Sequence, residues 1–207
     1  MATVATARLL LGILVLGVLA YTFTLLARTH GVSFIDYFGF FTNLTSLLTA
    51  MVLIATGAMT LLRGRTPLPL TLARAIATAC MMLVAVIYNV LVPGTGAAPP
   101  WVSALLHVVL PLLLFLDWIL IRDHPGIRWR HFWLVLPYPV AWLAVVLVRG
   151  VTDGWVPYGF LLPERGWLSI LLTSLGLLLA LGAAGAVVWV TRTSPCGLSG
   201  QRSEAAG

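Results

Sequence analysis

Six apolar blocks, each about twenty residues long and closed off by a short polar break, limit what this chain can fold into. Wound as helices they rise about 1.5 Å per residue, enough for each to cross the hydrocarbon of a bilayer. They run over Ala7–Ala27, Phe38–Leu62, Leu70–Val92, Trp101–Ile121, Phe132–Val148 and Trp167–Val190. Together they use nearly all of the 207 residues, which leaves no room for a soluble domain. The composition agrees, with 60% hydrophobic and 9% charged residues, whereas a soluble domain carries roughly a quarter charged. The expected fold is all-α, a polytopic six-helix transmembrane bundle over residues 1–190, with a disordered cytoplasmic tail over 191–207. The first block is read as a retained span rather than a signal peptide, because it is too long and only Arg8 precedes its apolar run.

The net charge is +6, and all twelve basic residues are arginine. No compact basic patch lies outside the apolar blocks, so nucleic acid is excluded as a partner. Unequal charge on the two sides of a bilayer explains the balance better. Six spans put Arg8, Arg63, Arg65, Arg74, Arg122, Arg128, Arg130, Arg192 and Arg202 on one side, and Arg28, Arg149 and Arg165 on the other. Nine against three places the first set, and both termini, in the cytoplasm of a cell-membrane protein. The outward loop from Arg149 to Arg165 carries Trp155, Tyr158 and Phe160, rings suited to the headgroup layer. Cys80 and Cys196 have neither disulfide nor metal spacing, so no metal or cofactor is expected.

Polar side chains inside a bilayer are costly, and their depth is informative. The second and fourth spans both enter from the outer side. Thr42 lies about 6 Å below the start of one, and His107 about 9 Å below the start of the other. The third span ends outward at Tyr88 and Asn89. One outer layer therefore collects Thr42, Asn43, Thr45, Ser46, Tyr88, Asn89 and His107. Thr42, Thr45, Ser46 and Thr49 also form one helical stripe, which serves a site or simply bonds back to carbonyls and packs against a neighbour. His107 is the one histidine inside a span. Pro111, four residues on, has no N–H for the His107 carbonyl, which predicts a kink or a water at that turn. Asp117 lies about 15 Å deeper than His107, too far to touch it. It is expected to be a structural polar group, with Arg122 or Tyr138 within reach.

Three groups of residues carry a resemblance. Phe40-Phe41-Thr42-Asn43-Leu44 is one; His107-Val-Val-Leu-Pro111 followed by Leu116-Asp117-Trp118 is another. The third is Tyr138-Pro139-Val-Ala-Trp142, then Arg149-Gly150 and Trp155-Val-Pro-Tyr158-Gly-Phe160-Leu161. In this order, across roughly Phe38 to Leu161, they resemble the androgen-induced membrane protein family and its bacterial relatives. The eukaryotic members are intramembrane threonine hydrolases that cleave fatty acid esters of hydroxy fatty acids with one Thr and one His. The resemblance implies Thr42 as nucleophile and His107 as base.

The residues themselves are compatible with that chemistry. An ester hydrolase needs a hydroxyl, a base within reach of it and donors for the oxyanion. Thr42, His107 and the amides of Asn43 and Asn89 supply each type. The expected partner is a membrane lipid or lipid ester. The reading from the other class is a non-enzymatic membrane protein, a lipid-binding scaffold or small-molecule transporter, with the polar layer as binding site or interhelical glue.

Overall fold

The computed structural model describes residues 1–121, 123 and 125–191. Among them it places six apolar helical spans and no strand. The spans are α1 (Ala2–His30), α3 (Phe41–Arg63), α4 (Leu68–Leu91), a composite of α5 (Pro100–Ala104), a π turn (Leu105–Val109) and α6 (Leu110–Leu120), a 3-10 turn (Trp129–Val135) leading into α7 (Pro137–Thr152), and α8 (Trp167–Val190). The large side chains that face outward are apolar, among them Leu10, Ile13 and Leu14 of α1 and Leu171, Leu172 and Leu175 of α8. The buried set includes Arg8, Thr42, Thr45, Ser46, Thr49 and Arg74. That is the inside-out distribution of a multi-pass membrane protein.

Most boundaries lie within three residues of the expected ones, and α8 coincides with its block. α1 starts five residues before Ala7, and α7 runs four residues past Val148 to Thr152. The expected helix from Phe38 is instead two, because Phe40 is extended (φ −67, ψ 128) and separates α3 from a short α2 (Phe34–Gly39). The Ser33 hydroxyl caps α2 by accepting the Asp36 N–H at 3.1 Å. Tyr37 buries its ring and donates its hydroxyl to the Leu19 carbonyl at 3.1 Å. At Gly39 a Cβ would stand 2.3 Å from the Trp155 indole, so only glycine admits that ring. In the fifth span the two prolines fall in the first turn of α7, where missing N–H groups cost nothing. The tail beyond Thr191 lies outside the described residues.

Packing divides the bundle into a tight part and a loose one. α1 and α3 touch backbone to backbone: at Gly57 a Cβ would stand 2.5 Å from the Ala5 carbonyl oxygen, and at Gly12 one would stand 2.8 Å from the Ala50 carbonyl oxygen. Small residues allow that approach, and dispersion contacts hold it in the absence of water. α4 and α6 complete this part around Met81, Leu110 and Trp118. α7 joins it mainly through side chains. Trp142 Nε1–H donates to the Gly39 carbonyl at 2.8 Å, and Tyr138 and Thr45 share a hydrogen bond of 2.8 Å. The gap between α7 and the α3–α4 pair is where the cavity described below lies.

Candidate functional site

At the face where α1 begins, four ionisable side chains form one buried cluster. The Arg8 Nε donates to Asp117 Oδ1 at 2.9 Å, and its η1 nitrogen donates to Asp123. Arg74 donates to Asp117 at 2.9 Å and to Asp123 at 3.1 Å. Both arginines are nearly inaccessible, at 3% and 2% exposure. Arg74 also lies 5.8 Å from the centroid of the Trp118 ring. Two positive and two negative charges balance, so the cluster is neutral as a whole. Burial alone would raise the carboxyl pKa of Asp123, in the loop past α6, but hydrogen bonds from Arg8 and Arg74 hold it below its usual value. Asp117 is thus tied to α1 and α4. Neither expected partner serves among the described residues: Tyr138 bonds Thr45, and Arg122 lies outside those residues. The sequence counted Arg8 and Arg74 as loop charges. The fold spends them inside the bundle, because Asp117 and Asp123 arrive at the same depth from α6 and the loop after it.

Toward the opposite face, Thr42 lies in the first turn of α3 and lines a narrow slot of about 50 Å³. The walls come from α3, α4, α7 and α8 and from the loop before α8. They include Phe41, Ile87, Leu143, Leu177 and Leu181. The slot is almost wholly apolar apart from the hydroxyls of Thr42, Tyr88 and Tyr158. Tyr158 folds back from the interface loop and lines the slot beside Thr42. Burial raises the Tyr158 pKa more than its polar neighbours at Thr42 and Phe41 lower it, so the hydroxyl keeps its proton and can donate. Phe160 stacks on Tyr158 at 5.2 Å and shares the slot. The loop is pinned in place by Arg149, which pairs with Asp36 of α2 and Asp153, each at 2.9 Å, and lies 4.2 Å over the Trp155 ring. Rings the sequence assigned to the headgroup layer therefore cover the mouth of the slot.

His107 sits in the π turn. Its Nδ1 lies 2.9 Å from the Ser103 carbonyl oxygen. A carbonyl can only accept, so Nδ1 carries the hydrogen, and in the neutral ring Nε2 is left as the acceptor. The Ser103 carbonyl thus does the orienting work for which the sequence offered no nearby acid. The His107 carbonyl, deprived of an N–H partner by Pro111, accepts from Asn89 Nδ2 at 3.3 Å. The expected kink takes the form of a π turn satisfied by an amide from α4, a local geometry common at functional sites. The Tyr88 ring stacks on the imidazole at 3.5 Å between centroids, with 11° between the planes.

Tyr88 connects Thr42 and His107: its ring lines the slot with Thr42 and covers the imidazole, while His107 itself is not among the slot's lining residues. Among the described residues no hydrogen bond joins the two. Asn43 donates to the Tyr37 carbonyl at 2.8 Å and so ties α3 to α2. Asn89 donates to Ala85 and His107 carbonyls at 2.7 and 3.3 Å, so both its N–H groups are committed and only its oxygen is free. The amide expected as an oxyanion donor instead braces the turn that carries His107. The donor next to Thr42 is the Tyr158 hydroxyl, which sequence placed 116 positions away in a loop. Its only sequence signal was the third group of family-like residues. Compared with family models, curated proteins and solved structures, the chain finds no match.

Proposed function

We propose that this protein is an intramembrane lipid-ester hydrolase, with Thr42 as nucleophile and His107 as general base. The observation that carries the reading is Tyr88, which stacks on the oriented His107 imidazole and also walls the apolar slot that Thr42 lines. The apolar lining matches an acyl chain in chemistry, and the slot, at about 50 Å³, must widen between the lipid-facing spans to admit one. The Thr42 oxygen attacks the ester carbonyl carbon, and its proton passes to His107 Nε2. The Tyr158 hydroxyl, which lines the same slot, donates to the oxyanion. Collapse breaks the bond to the alcohol oxygen, which takes the proton back from His107. Water, deprotonated by the same nitrogen, then releases the fatty acid from the acyl-threonine. Thr42 and His107 must close on each other when the ester binds, as catalytic hydrogen bonds often do. The resemblance to the androgen-induced family supports the same pair.

The arginine distribution supports a cell-membrane orientation with both termini cytoplasmic. Removing Arg8 and Arg74 from the loop count leaves seven on that side against three. The slot then opens toward the outer leaflet. In the test, purified protein and its Thr42→Ala and His107→Ala variants are assayed on lipid esters and with a fluorophosphonate probe. Both variants are expected to insert and purify normally, yet to lose turnover by about three orders of magnitude or more. Probe labelling is expected to need Thr42. Wild-type turnover in both variants would leave the polar layer as a lipid-binding site or interhelical packing.

A further inference from the structure

The slot at Thr42 is one of two cavities that share Tyr88 as a wall. The second holds about 410 Å³ and lies where α4 hands over to α5. Its walls include Asn89, Thr95, Ser103, Ala104 and the backbone of Gly94 and Gly96. Those glycines have φ of 70° and 108°, left-handed values that other residues rarely adopt, so the loop can wrap the cavity with bare backbone. Three wall residues hold His107: Tyr88 by stacking, Ser103 through its carbonyl, and Asn89 through its amide. The base of the proposed reaction is thus mounted on the second cavity, while the nucleophile opens on the first.

We infer that the second cavity takes the alcohol part of the ester, and that this part is an uncharged, hydroxylated head of the glycerol type. The inference rests on the hydrolase reading above. The leaving oxygen must receive its proton from His107, so the alcohol must lie on the His107 side while the acyl chain occupies the Thr42 slot. None of the residues lining the second cavity is cationic or anionic. Both N–H groups of Asn89 are spent on carbonyls, which leaves its side-chain oxygen as an acceptor. An acceptor suits a hydroxyl donor and opposes a carboxylate, whose oxygens can only accept. An alcohol part ending in a carboxylate would meet no cation in this cavity, only the neutral hydroxyls of its wall.

Two oleate esters with the same acyl chain test this: monooleoylglycerol, and the oleate ester of hydroxystearic acid, whose alcohol part carries a carboxylate. They are compared on the full-length protein in phosphatidylcholine nanodiscs. The glycerol ester is expected to have the higher kcat/KM by about tenfold or more, the cost of an unpaired charged acceptor. Thr42→Ala should abolish both activities. Ala104→Arg, at the exposed rim, supplies a cation and should narrow or reverse the ratio. If the carboxylate ester is cleaved equally well or better, and cleavage needs Thr42, the inference fails while the hydrolase reading stands. If neither ester is cleaved, or cleavage survives Thr42→Ala, the two fail together. Should Ala104→Arg not insert, the wild-type ratio alone decides.

Discussion

The two polar regions of this bundle have opposite designs. At the face where α1 begins, two arginines and two aspartates neutralise one another behind a wall of apolar side chains. Each guanidinium meets both carboxylates, which ties α1 and α4 to α6 and the loop after it. At the other end His107 is oriented by Ser103 and braced by Asn89, but its second ring nitrogen is left open. Thr42 likewise points into a slot rather than into a partner helix. A membrane interior penalises unpaired polar atoms, so groups kept available there need a reason beyond stability. The comparison teaches where to look for function: the neutralised cluster holds helices, and the open layer is free to meet a ligand.

Arg74→Ala should break this contrast most severely. It leaves Asp117 and Asp123 sharing one guanidinium in a buried site, which costs about 3–5 kcal/mol. Folding yield and thermal stability should fall, while the protein that does insert keeps the proposed Thr42 activity. The cluster should also sense acid. The lowered pKa of Asp123 means that its contribution is fully present above the ordinary aspartate value of 3.8 and is lost as pH falls through the lower folded value. A thermal melt series should therefore be flat in pH from neutrality down to about 3.8 and fall below it, and Arg74→Ala should flatten the drop.

A smaller effect is expected at the loose seam. Tyr138→Phe removes the hydroxyl that links α7 to buried Thr45, at a cost of about 1–2 kcal/mol. Because few other bonds hold α7, hydrogen exchange should rise in α7 and remain unchanged in α1 and α3. Uniform loosening of all spans would mean that the two halves are not separate in stability. The smallest change is Asn89→Leu, which withdraws the donor from the His107 carbonyl and should cost about 1 kcal/mol or less, since the site is partly solvated. Its mark should be on turnover, a loss of about tenfold, with little shift in melting. The reverse pattern would make Asn89 a helix fastener and not a brace for the base.

Apolar run length alone determined the six spans, because only a helix satisfies its own backbone in hydrocarbon. The same logic gave the depth of Thr42 and His107 and the burial of the stripe Thr42, Thr45, Ser46 and Thr49, since helix rise and period need no neighbour. Pro111 announced a free carbonyl at His107 without saying who would answer it. Partners were the part that needed tertiary structure. Asp117 found Arg8 and Arg74, 109 and 43 positions away, and not the nearer Tyr138, because packing brings the ends of α1, α4 and α6 together. Tyr158 left the interface for Thr42 because Arg149 and Gly39 anchor the loop inward. Local sequence carries period and propensity, whereas contacts between distant side chains depend on how whole helices tilt and fit. That fit alone decided that one polar layer would close and the other stay open.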